Sequence, residues 1–183
     1  MRKFSLFIFN KKILFFILFF SFSINFFALD NLPNGYGSVS LGMNVDEAKN
    51  ALIDDPAFGY RGDRDVSLLP GENRTLISTT GILFLDECWF QFKDNRLYII
   101  TINLNKEKID YYSVFNTLCK KYGEPNFLSP KKSEWKNDSV IMTLERPLTL
   151  KYADLKILQE IEEGAIVNLS AEEYTREMFL DSL

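Results

Sequence analysis

Histidine is missing altogether from the 183 residues, and cysteine occurs only twice, at Cys88 and Cys119. Without an imidazole there is no Ser–His or Cys–His pair to activate a nucleophile, and two thiols alone make a poor zinc set. A phosphate-binding glycine loop and a dinucleotide fingerprint are lacking too. Paired carboxylates survive, at Asp54/Asp55, Asp63/Asp65 and Glu162/Glu163, but none stands in a recognisable glycosidase pattern. Asp63-Arg64-Asp65 lacks the further spaced carboxylates and closing Glu of a calcium loop. The expectation is a non-enzyme with no cofactor and no metal; a carboxylate-based cell-wall hydrolase is the alternative from another class.

Long hydrophobic runs are equally scarce after the first 28 residues. Before that point Arg2, Lys3, Lys11 and Lys12 precede a nearly unbroken apolar stretch from Ile13 to Phe27, and Ala28 offers a small residue at the end. That is the layout of a secretory signal peptide. It is either cleaved after Ala28 or kept as a membrane anchor, and no cysteine lies there to carry a lipid. The stretch holds four positive charges and no acid, so its removal takes the formal charge from −4 to −8. An acidic domain suits neither nucleic-acid phosphates nor an anionic membrane surface. The expected place is the periplasm or cell envelope, with membrane contact only if the N-terminal segment is retained.

In an exported chain Cys88 and Cys119 are a candidate disulfide; two small buried hydrophobes that never bond is the competing reading.

What is present is β-branched and aromatic patterning. Cys88 to Asn103 reads as a hairpin turning at Asp94-Asn95, a pair that tolerates positive φ. A regular two-residue turn faces Phe92 with Leu97, Phe90 with Ile99 and Cys88 with Thr101 on one side. Lys93/Arg96, Gln91/Tyr98 and Trp89/Ile100 then share the other. Trp89, Tyr98 and Ile100 form an aromatic second face, which either binds a protein or is covered by the chain's own tail.

Around the hairpin, residues 29–38 form an Asn/Pro/Gly-rich, flexible lead-in. Asn44 and Glu47 make a capping box for a short helix that ends before Pro56. Pro56 to Thr80 is an irregular connection with a short strand near Arg74 to Ser78, and Gly81 to Leu85 reads as another strand. Asn105 or Asp110 starts a second helix through Tyr122, with Tyr112, Phe115, Leu118, Cys119 and Tyr122 on one face. Asn137-Asp138 marks a second hairpin. Residues 157–183 form an acidic helical tail, with Ser170 as cap of its last helix. FKDNRLYIITI is echoed by WKNDSVIMTL, which suggests two helix-plus-hairpin repeats. The fold class is α+β, an antiparallel sheet with helices packed on one face.

The long connection carries Arg61, Asp63, Arg64 and Asp65, with Arg74 beyond. These charges either contact a partner or pin the loop internally. Arg61-Gly62-Asp63 also spells an integrin-binding tripeptide, a match of low specificity.

Leu41-Gly42-Met43, followed by Val45-Asp46-Glu47-Ala48 and Leu52, resembles the opening of the small periplasmic SmpA/OmlA (BamE-like) modules. Lys121 to Pro125 with the later Trp135 is similar to the second half of related modules of the β-lactamase-inhibitor-protein-like arrangement. The likeness spans Val39 to Tyr152, within one domain taken as residues 39–156. It implies an accessory or assembly subunit of the envelope that binds another protein, or an inhibitor of an exported enzyme.

Overall fold

Asn44 and Glu47 begin the ordered helical structure as their spacing requires. The Asn44 Oδ1 accepts from the Glu47 N–H at 2.9 Å, and the Glu47 carboxylate accepts from the Asn44 N–H at 2.9 Å. That reciprocal cap, worth about 1 kcal/mol, starts α1 (Val45–Asp54), which buries Ala48 and Leu52. This computed structural model describes residues 32–71 and 73–181; the leader expected over residues 1–28 lies outside them.

Two short strands, β1 (Gly35–Tyr36) and β2 (Val39–Ser40), precede α1. A short 3-10 turn, Gly62–Asp65, follows it, and then β3 (Val66–Leu68), β4 (Arg74–Thr80), β5 (Leu85–Lys93) and β6 (Arg96–Leu104). The second half runs α2 (Tyr111–Tyr122), β7 (Phe127–Leu128), β8 (Lys132–Lys136), β9 (Val140–Glu145), β10 (Thr149–Asp154) and α3 (Leu155–Asp181). Strands β3 to β10 form one antiparallel sheet in the order β3-β4-β5-β6-β10-β9-β8-β7. Each half is thus a helix followed by a four-strand meander, and the last strands of the two meanders meet at the centre. The fold is α+β. The sequence echo is not the trace of this symmetry, because it lies on β5–β6 and on β8–β9. The sheet order matches β5–β6 with β9–β10 instead.

One face of the sheet carries Ile77, Cys88, Phe90, Phe92, Leu97, Ile100, Ile102, Leu150, Tyr152, Met142, Leu144 and Trp135. All are buried in one cluster with Ala48 and Leu52 of α1 and Leu118 of α2. Burying each large side chain contributes about 2 kcal/mol. Trp135 is fully buried, and its indole N–H donates to the Gly123 carbonyl at 2.8 Å. That bond ties β8 to the end of α2, where Gly123 adopts φ 80° and its N–H closes on Cys119 O.

The central hairpin turns where expected, with Asp94 at φ 49° and Asn95 at φ 59°. Its register departs from the simple alternation. Phe92 pairs with Leu97, but Gln91 pairs with Ile99, Phe90 with Ile100 and Cys88 with Ile102. Tyr98 is an extra residue, a bulge that shifts every later side chain by one position. The bulge puts both Leu97 and Ile100 on the helix side, and the Leu97 N–H and C=O are held by Met43 O and Gly42 N–H, each at 2.8 Å. Ile100 is therefore core, not part of a second face.

Four other expectations change. Residues 32–38 are built in rather than a loose lead-in: Leu32 is buried, and Leu41 N–H donates to Asn34 O across the small β1–β2 hairpin. Residues 81–84 are a loop and not a strand, because Gly81 N–H turns back to Asp86 O. Tyr112 is exposed, since the inner face of α2 is set by Tyr111, Val114, Phe115 and Leu118. The tail forms one helix with no new start at Ser170; it begins at Leu155, where Asp154 accepts from the Ile157 N–H at 3.1 Å.

Candidate protein-binding end of the sheet

Antiparallel connection places the loops of this sheet at two ends. One end carries the β3–β4 loop, the Asp94-Asn95 turn and the Asn137 turn. The other carries the β4–β5 loop (81–84), the β6–α2 connection (105–110), the β7–β8 turn (129–131) and the β9–β10 loop (146–148). Exposed Ile82, Leu83, Phe84 and Tyr112 are strung along this second end, with Phe127 and Leu128 on the edge strand that finishes there.

The 81–84 loop is held, not loose. Ile82 N–H donates to Ala57 O at 2.9 Å, Asn105 N–H to Phe84 O at 2.8 Å and the Lys108 ammonium to Leu83 O at 2.7 Å. Asn105 also reaches the Asp86 carboxylate at 2.8 Å. Leu83 sits at φ 61° with its side chain 69% exposed. A left-handed leucine costs about 1 kcal/mol, and presenting it to water recovers nothing.

At the same end of the sheet, a groove of about 420 Å³ opens between the start of α2 and the β7–β8 hairpin, lined by Tyr111, Tyr112, Phe115, Leu128, Ser133 and Arg146 among others. Tyr111 stacks on Phe115 with 10° between planes, and Phe115 leans on buried Trp135. The Tyr111 hydroxyl and Ser133 Oγ share a 3.0 Å hydrogen bond. The Arg146 guanidinium lies 4.1 Å above the Tyr111 ring. Asp110 caps α2 through Ser113, whose hydroxyl and N–H hold its carboxyl below the usual range.

The charged loop resolves internally. Asp65 has a fully buried side chain and accepts from Arg61 Nη2 at 2.6 Å, Arg61 Nε at 2.9 Å and the Arg61 backbone N–H at 2.9 Å. Asp63 bonds Lys49 of α1 at 2.8 Å, which pulls its carboxyl below the usual range. Both ends of Arg61-Gly62-Asp63 are thus engaged within the domain. Arg74 stands apart at the far end of the β3–β4 hairpin, lining a separate hollow of about 700 Å³ with Leu68, Asn73 and Asp94. The five charges do not converge, and Arg64 has no ion pair among the described residues.

Of the expected aromatic face, half-buried Trp89 and buried Tyr98 do lie on the side opposite α1 and α2, with Tyr98 Oη donating to Gln91 Oε1 at 3.3 Å. Among the described residues, Tyr98 and Ile157 of α3 are the buried large apolar residues outside the main cluster. The neighbouring row is polar, with Lys151 paired to Glu145 and Lys132 to Glu134.

Cys88 and Cys119 are free thiols. Burial, with Glu87 nearby, pushes the Cys88 thiol up to about 12, and burial also raises Cys119. Asp55 is occupied by the N–H groups of Ser38 at 3.0 Å and Ala57 at 2.9 Å. Among the described residues no three His, Cys, Asp or Glu side chains gather to hold a metal, and no helix is long and apolar enough to cross a membrane.

Sequence reasoning missed the 81–84 loop, because a run of Ile, Leu and Phe looks like strand. It also missed Phe127, Leu128 and Arg146, which are isolated in sequence and meet the α2 aromatics only in space. The one available signal was Pro130 and Pro147 beside them, marking chain reversals.

No curated protein and no solved structure matches the chain. A family model described as the TP0088 domain matches residues 34–164, from the β1–β2 hairpin to the first turns of α3. Both meanders and their helices fall inside that match, and the chain belongs to the TP0088 domain family.

Proposed function

We propose that this is an exported, non-catalytic envelope protein that binds another protein, as an accessory or assembly subunit, through the apolar end of its sheet. The observation that carries the reading is the set of exposed Ile82, Leu83, Phe84, Tyr112, Phe127 and Leu128 at one end of the sheet, with the 82–84 loop fixed by hydrogen bonds. Large apolar side chains left exposed at one end of a domain mark a candidate interaction surface. The leader-like N-terminus supports export, and the accessory role agrees with what a BamE-like resemblance implies. The internal pairing of Arg61, Asp63 and Asp65 moves the proposed contact away from the charged loop.

Photo-cross-linking in cells that make the protein tests this. A cross-linker at Leu83 or Phe127 is expected to trap one discrete protein partner, while one at Leu68, on the other end, traps none. Equal yields at both ends, or no adduct at either, would overturn the proposal.

A further inference from the structure

The groove between α2 and β7, we infer, takes an extended peptide segment of the partner, in which an acidic residue lies two positions from an apolar one, by strand addition to the free edge of β7. The inference rests on the protein-binding reading above and names the partner's chemistry.

The edge is open in a specific way. Ser129 N–H donates to Lys132 O at 2.8 Å, and bonded and non-bonded pairs alternate along an antiparallel ladder. The adjacent Leu128–Ser133 pair is therefore the non-bonded kind, so the Leu128 N–H and C=O face away from β8. β7 is the last strand of the sheet. An incoming strand finds one donor and one acceptor there, as in other β-augmentation sites.

Leu128 also points its side chain to the groove, where Tyr112 and Phe115 supply apolar walls. The added strand alternates its side chains, so residues i and i+2 both face the groove. One of these meets the aromatic wall. The other meets Arg146, whose guanidinium is held over Tyr111 and has no carboxylate partner among the described residues. The acid lining the groove, Asp110, is committed to Ser113. A preorganised, unpaired guanidinium beside an apolar wall selects a carboxylate through paired N–H donors. Lys131 on the adjoining turn adds charge of the same sign, while the chain as a whole is acidic, so this is a local reversal of sign.

The test is selection of a random decapeptide display library on the immobilised full chain, alongside Arg146→Gln and Leu128→Pro. Position 128 is exposed and its N–H faces outward, so proline fits the edge without breaking the ladder; the melting curve of each variant checks that it folds. Enriched peptides are expected to share an acidic residue two positions from an apolar one. A synthetic representative is expected to bind each folded variant at least tenfold more weakly than wild type. Enriched peptides without an acid, or unchanged binding to Arg146→Gln, would overturn the inference. Enrichment of nothing while cross-linking at Leu83 succeeds would leave the protein-binding role standing and remove this site from it. Binding of decanoate in the groove with no peptide selected would point to a lipid-like ligand and overturn it as well.

Discussion

The two ends of the sheet are both built from short connections and solve the same problem differently. At one end, polar side chains close the turns. Asn95 Oδ1 accepts from Val45 N–H at 3.1 Å, Asn73 donates to Asp94 at 3.0 Å, and Asn137 Oδ1 accepts from Ser139 and Val140 N–H groups. At the other end the backbone is satisfied just as well, but Ile82, Leu83 and Phe84 are left facing water. Stability alone explains the polar turns of the first end, where Leu68 is a single exposed large apolar side chain among the described residues. It does not explain the second, where a leucine at positive φ is kept exposed, and that difference argues that the apolar end has a use.

The comparison breaks most sharply at Asn95. Asn95→Val removes the acceptor for Val45 and forces a β-branched residue to a left-handed backbone, so unfolding by urea should show a loss of about 3 kcal/mol. Undiminished stability would mean that the polar end is not a structural device. Leu83→Gly at the other end should act with the opposite sign, stabilising by about 1 kcal/mol as backbone strain is relieved, while cross-linking from Phe127 weakens. A destabilised Leu83→Gly would show that the exposed loop is part of the fold's own packing.

A smaller effect is expected at Asp55, which supports the apolar end because its carboxylate holds Ala57 N–H and Ala57 O in turn accepts from Ile82. Burial raises this carboxyl, but the N–H groups of Ala57 and Ser38 outweigh it and bring it below its usual value. A depressed folded pKa means stability that is present above the unfolded value, about 4, and lost as pH falls through the folded one. Acid titration of Asp55→Asn should therefore show a shallower loss below about pH 4 than wild type. Identical acid curves would contradict the assignment. The mildest probe is thiol labelling at pH 8: Cys119 should react before Cys88, whose buried thiol is pushed up to about 12, and both should react once unfolded without reductant. One or no labelled thiol in unfolded protein would reveal a disulfide.

Much of the local structure was legible. The Asn44–Glu47 box, the Asp110 cap, the Gly123 stop and the Asp94-Asn95 turn each depend on groups a few residues apart, and the helix faces around Leu52 and Leu118 follow simple spacing. The Tyr98 bulge was not legible, because alternation carries no sign of an extra residue whose position is decided by Met43 and Gly42 across the sheet. For the same reason Ile100 looked like surface and is core. The charged loop was readable as charged, but only Lys49 on α1 shows where Asp63 goes.

By itself the sequence determined the α+β class, the caps and turns, the absence of histidine chemistry and the leader-like start, all of which rest on composition or on neighbours along the chain. The tertiary structure decided the sheet order, the register beyond the bulge, the internal pairing of the charged loop and the meeting of Arg146, Tyr111 and Leu128 around one groove. Those contacts join residues far apart in sequence, and they exist only once strand pairing has chosen which loops share an end.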